Sequence, residues 1–279
     1  MPNFIPYLLL TAVCAVALIS LLIRKRDVWP LIVLLSFSGT IYVFEFFIMV
    51  LFDSYRYHPN IVKIPYYDNV VGALVSNFFA VPVAAVFVVV YRLRAPWILS
   101  LALAFGAIEW LFLRIGAFEH QWWRTPYTIL ALLIFFPVAR LWLAELRRGR
   151  SPFTFVALQM LAWSIAGTTM FGFALSGVRL FQSGVFDDPY RDDIFLSSIY
   201  GSYLATILAA AMYRSRSAWR GAAAFLLILT TNFALIRFGY LRIMLPMWQY
   251  WLLYSLCLLT ILLLVAAAGR KLERLKSMS

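Results

Sequence analysis

The chain is cut into apolar runs of about 17–25 residues with almost no charge inside them, the length a helix needs to cross a hydrocarbon core of about 30 Å. Lipid offers no partner to an open backbone, so a spanning segment must close its hydrogen bonds within a helix or a closed barrel. A barrel needs alternating segments of about ten residues, and these runs do not alternate. Nine helices are therefore expected, at 6–23, 29–52, 69–91, 96–116, 126–145, 153–178, 194–213, 217–238 and 246–268. Only 13% of the 279 residues are charged, against about 25% in soluble domains, so lipid must cover much of the surface. No stretch reads as a soluble domain, which excludes a kinase, a nucleotidase or an ATP-driven pump run by this chain alone.

The net charge of +12 does not point to nucleic acid, because the cations sit in short runs beside the apolar segments. One set of connections holds Arg24, Lys25 and Arg26; Arg92 and Arg94; Arg147, Arg148 and Arg150; Arg214, Arg216 and Arg220; and Arg270, Lys271, Arg274 and Lys276. The alternate connections hold Asp53, Asp68, Glu119, Asp187, Asp188, Asp192 and Asp193. Cytoplasmic loops collect Lys and Arg. The pattern therefore places the N-terminus outside and the C-terminus in the cytoplasm of a multi-pass cell-membrane protein. The first run lacks a basic stretch before it and reads as an uncleaved helix rather than a signal. Cys14 and Cys257 lie inside apolar runs and make neither a disulfide framework nor a metal spacing.

The chain also resembles itself. IEWLFLRIG (108–116) matches TNFALIRFG (231–239) at a shift of 123, and YRLRAPW (91–97) matches YRSRSAW (213–219) at a shift of 122. FEFF (44–47) matches FGFA (171–174) at a shift of 127. The expected architecture is all-α: a first helix with its basic turn (1–28), then two parallel four-helix repeats (29–150 and 151–279). An even helix number gives both copies one orientation, with a two-fold axis along the membrane normal.

Within this frame a few polar residues stand at membrane depth. Glu45, Asn77 and Glu109 each fall roughly 10–12 Å below the outer end of their helices, at about 1.5 Å per residue. A carboxylate in hydrocarbon needs a partner, a cavity or water, and two close carboxylates favour sharing a proton. The three residues fit either an outward-facing acidic pocket or a hydrogen-bonded staple between helices. The second copy has Gly172, Gly201 and Asn232 at the matching places, which confines the acidity to the first. Arg114 and Arg237, near the outer helix ends, fit lipid-headgroup snorkelling or an anion clamp between the halves, with Arg179 as a third outer cation. His58, His120 and the Trp122–Trp123–Arg124 segment read as loop and interface residues. Asp187, Asp188, Asp192 and Asp193 read as an acidic patch without the glycine and spacing of a calcium loop. No phosphate loop, nucleophile elbow or metal motif is present, so no catalytic residue, metal or cofactor is expected.

Residues 105–144 combine Ile108, Glu109, Arg114, Gly116, the aromatic segment at His120, Trp122 and Trp123, and FFPVARLW (135–142); Pro82 fits the same pattern. In these features the first copy (about 29–145) resembles a family of small multi-pass membrane proteins of spore-forming Firmicutes. That family has no assigned activity, so the resemblance implies a fold and no reaction. Three functions follow from the residues: small-molecule or ion binding or transport through the acidic pocket, a structural or partner-binding role at the outer face, and lipid modification. The last is weakest, since nothing marks a nucleophile. The lipid bilayer is the one partner the sequence requires.

Overall fold

A computed structural model describes residues 2–214 and 217–275. Arg216 and Lys276 of the basic set, and the Arg274 side chain, lie outside the described residues. Among the described residues nine helices are long and apolar enough to cross a membrane. The chain divides into two units, Met1–Arg148 and Gly149–Ser279.

The first unit holds α1 (Phe4–Lys25), α2 (Trp29–Leu51), α3 (Pro65–Val90), α4 (Ala95–Arg114) and α5 (Thr125–Arg147). The second holds α6 (Ser151–Leu175), α7 (Pro189–Met212), α8 (Ala218–Arg237) and α9 (Met247–Leu275). Proline occupies the first turn of α2 through α7, where its fixed φ suits a helix and its missing N–H costs nothing. In unit 1, α2 packs on α3 and α4 on α5; in unit 2, α7 packs between α6 and α8, and α9 lies against α6. The α1 helix buries a narrow stripe of Tyr7, Cys14 and Leu21 and exposes Leu8, Leu9, Val13, Val16, Ile19 and Ile23. Exposed side chains of that kind in one continuous band are stable against lipid, not water.

Two departures from uniform α-helix matter. First, four three-residue strands form two antiparallel ribbons. In unit 1, β1 (Tyr55–Tyr57) pairs with β2 (Phe118–His120), Tyr55 opposite His120. In unit 2, β3 (Arg179–Phe181) pairs with β4 (Leu241–Ile243), Arg179 opposite Ile243. Two-stranded ribbons are marginal alone; these are carried by the helices beneath them. Second, α2 and α3 each contain a π-helical stretch, Phe46–Leu51 and Val75–Ala80. Both lie in unit 1, and among the described residues no other helix has one.

Helices α3 and α7 start earlier than expected, at Pro65 and Pro189 rather than 69 and 194. The carboxylates expected in loops belong to their first turns. Asp68 accepts from the backbone N–H groups of Asn60, Ile61 and Val62 at 2.9, 2.7 and 2.9 Å. Asn69 accepts from Tyr57 N at 2.8 Å. In unit 2, Asp192 accepts from the backbone of Gly184, Val185 and Phe186 at 2.9, 3.0 and 3.3 Å, and Asp193 from Phe181 N at 2.7 Å. The expected acidic patch is thus split: Asp187 and Asp188 are exposed, while Asp192 and Asp193 are buried and hold the loop. Residues with positive φ fall in pairs 122–124 positions apart: Arg26 and Gly149, Asp53 and Gly177, Asn60 and Gly184, Arg92 and Arg214, Gly116 and Gly239.

Candidate functional site

Unit 1 has a partly open cavity of about 570 Å³ beneath its ribbon, with Leu130 and Ile134 of its lining exposed; the volume is within the usual size range of small-molecule sites. Glu45, Asn77 and Glu109 all line it. The π-stretches bring the first two there: Glu45 is the last α-helical residue before one, and Asn77 lies inside the other. A π-turn inserts a residue into the helix and frequently marks a functional site.

Each carboxylate is held differently. Glu109 on α4 is bound by His120 Nε2 at 2.8 Å from β2 and by the Thr128 hydroxyl from α5. Trp123 Nε1 donates to Thr128 Oγ1 at 2.8 Å and fixes it in turn. Glu45 Oε1 accepts the Tyr55 hydroxyl from β1, and the Asn77 side chain approaches the same carboxylate. Glu45 Oε2 is buried with no hydrogen-bond partner, on a residue only 8% exposed.

The ribbon supplies the aromatic part of the wall. In β1 the alternation of a strand sends Tyr55 and Tyr57 inward and Arg56 outward, where it pairs with Asp53 at 2.6 Å. Tyr55 stacks edge-on against Trp123 at 5.7 Å, and Tyr57 lies 4.8 Å from Phe118. Burial, and then the nearby Glu45 charge, push the Tyr55 phenol well above its usual value, so it remains a donor. The α1 helix closes one side: Tyr7 lines the cavity and donates to Ala117 O. Gly72 on α3 admits the ribbon, since a Cβ there would stand 2.3 Å from Tyr57 Cβ.

The other candidate residues take different places. Arg114 and Arg237 do not line the cavity; both are exposed, Arg114 with its guanidinium 5.0 Å from the Trp110 ring centre. Arg179 is not a surface cation. It is 2% exposed, ion-paired with Asp193 and donating to Met170 O at 2.7 Å. His120 is a partner of Glu109 rather than a solvated loop residue, whereas His58 is half exposed and 3.1 Å from Glu119. Trp123 belongs to the cavity wall; its neighbour Trp122 stays half exposed, bonded to Phe52 O at 2.8 Å. Tyr7, Tyr55, Tyr57 and Thr128 were not singled out by sequence. For Tyr55 and Tyr57 the alternation of Tyr55–Arg56–Tyr57 opposite Phe118–Glu119–His120 is the available signal; Tyr7 and Thr128 lie on helices outside it.

Among the described residues of unit 2 the buried carboxylates are Asp192 and Asp193, both bonded to the loop and ribbon. Asn232 is buried and accepts from Tyr250 Oη at 3.0 Å, and Tyr200 and Tyr254 hydroxyls meet at 2.5 Å. Tyr250 and Tyr254 stack at 5.6 Å. No protein-family model, curated protein or solved structure matches the chain.

Proposed function

We propose that this multi-pass membrane protein binds a small molecule in the unit 1 cavity, as a binding or transport protein, and is built by duplication with the site kept in one copy. The observation that carries the reading is the pair of π-stretches, which fall beside Glu45 and around Asn77 and nowhere else among the described residues. A helix kept off its best hydrogen-bond pattern at two points of one cavity is an arrangement that packing alone does not require.

Duplication is supported by the paired positive-φ turns and by Asp68 and Asp192 holding corresponding loops at one shift of 124. These landmarks bracket α2 at shifts of 123 and 124, setting Glu45 opposite Thr168 or Thr169 instead of Gly172. Asn232 keeps its place opposite Glu109. Ser76 and Ala131, small residues of the cavity wall, correspond to Tyr200 and Tyr254. In this reading bulky phenols occupy in one copy the space the other leaves open.

The charge alternation supports an orientation with the ribbons outside and the C-terminus in the cytoplasm. Glu109, gripped by His120 and Thr128, also fits a packing staple between α4 and α5. The test separates the two. Cys14 and Cys257 are replaced by Ser, and Ser76→Cys or Ala131→Cys is introduced in the cavity wall. A membrane-impermeant thiol reagent is then added to intact cells. The expected result is labelling of both positions from outside. Folded protein that stays unlabelled at both would defeat the hydrated-pocket reading and leave the staple.

A further inference from the structure

The wall of the unit 1 cavity specifies the charge of its occupant. Two carboxylates face the space, and no lysine, arginine or histidine lines it. Glu109 already has His120 and Thr128 as donors. Glu45 has Tyr55 on Oε1 and the Asn77 side chain beside it, and its Oε2 is buried with no hydrogen-bond partner. A carboxyl oxygen accepts hydrogen bonds, and a buried polar atom left without a partner is costly. What the site lacks is therefore a donor, and the absence of a cation in the wall calls for a positive one.

The remaining wall limits the choice further. A divalent metal asks for six or more oxygen ligands in calcium's case, or near-ideal octahedral geometry in magnesium's. This wall is largely aliphatic and aromatic, and no cluster of three metal-ligating side chains exists among the described residues. An anion would meet two carboxylates. A neutral apolar molecule would fill the space and leave Glu45 Oε2 unpaired. A quaternary ammonium would bring charge and no N–H.

Resting on the reading of this cavity as a ligand site, we propose that it takes a hydrophobic protonated amine, whose ammonium N–H donates to Glu45 Oε2 while its apolar body lies along Phe44, Phe105 and Phe135. Trp123 and Tyr55, edge to face at 5.7 Å, belong to the same wall, and aromatic faces attract a desolvated cation. A charge-assisted bond of this kind is roughly twice as strong as a neutral one, which gives the amine its advantage over isosteres.

The test uses the full chain in lipid nanodiscs and equilibrium dialysis, with protein-free nanodiscs subtracting partition into lipid. Four probes share one apolar body: 4-phenylbutylamine, 4-phenylbutanol, 4-phenylbutanoate and trimethyl(4-phenylbutyl)ammonium. Saturable binding of the amine is expected, with each other probe at least about tenfold weaker. Glu45→Gln should lower the amine to the level of the alcohol and leave the alcohol unchanged. The comparison of amine with trimethylammonium needs no variant and stands if Glu45→Gln does not fold. Equal affinity for amine and alcohol, or for amine and trimethylammonium, overturns the amine assignment while leaving a ligand site in place. Absence of saturable binding by all four overturns the assignment and the site together.

Discussion

The bond between Tyr55 and Glu45 is the contact on which the cavity can be measured. Tyr55→Phe removes one hydroxyl and nothing else from the wall. Hydrogen bonds to charged groups contribute about 1.5–3 kcal/mol, whereas interhelical bonds in membrane proteins average only about 0.6 kcal/mol. Three features place this bond in the upper range. Glu45 is 8% exposed, its second oxygen has no donor, and Tyr55 is raised by burial and stays protonated. When the phenol is lost, Oε1 loses its bonded donor and the Asn77 side chain is left beside the carboxylate. A double-mutant cycle of Tyr55→Phe, Glu45→Gln and the double variant should give a coupling of about 1.5–3 kcal/mol, a factor of roughly 13 to 160 in the unfolding constant. Reversible unfolding in mixed micelles, followed by tryptophan fluorescence, provides the four free energies. A coupling at or below about 0.6 kcal/mol would refute the claim that the phenol stabilises a buried, otherwise underserved carboxylate.

Two further substitutions test the frame around the site. Gly72→Ala puts a Cβ 2.3 Å from Tyr57 Cβ, and relieving the overlap by moving the ribbon should cost about 1–3 kcal/mol; an unchanged melting temperature would show that the ribbon is not seated on α3. Asp68→Ala strips three backbone donors of their acceptor, for about 2–4 kcal/mol once water reaches part of the loop. Hydrogen exchange should quicken at Asn60, Ile61 and Val62, and Asp192→Ala should do the same at Gly184, Val185 and Phe186; unaltered exchange in either loop removes the carboxylate from its assigned role.

The helices were legible because hydrocarbon thickness sets their length, and nine runs of that length are hard to misread. The starts of α3 and α7 were not. Asp68 and Asp192 look like loop residues by charge, yet Pro65 and Pro189 just before them are helix-start signals. The π-stretches left no trace in sequence, since a one-residue change of phase is invisible where every neighbour is apolar, as in Phe46–Leu51. The depth argument found Glu45, Asn77 and Glu109, because burial of a polar group in lipid is a one-dimensional property. It could not find Tyr55, Trp123 or Thr128. Their roles depend on how the ribbon folds back over the helices, and loop composition does not encode that. Arg179 misled for the same reason: a cation beside a loop reads as exposed until its partner Asp193 is located.

The position of Glu45 has an electrical consequence. It stands six residues inside the end of α2, about 9 Å at 1.5 Å per residue. If that end marks the hydrocarbon boundary, a charge held there has crossed about a third of a core roughly 30 Å thick. A full crossing is worth about 2.3 kcal/mol per 100 mV, so a proton or ligand charge at Glu45 senses about 0.7 kcal/mol of it. Occupancy of the cavity by any cation would then change about threefold per 100 mV, and the potential across the membrane that holds the protein becomes one of the variables that sets how full the site is.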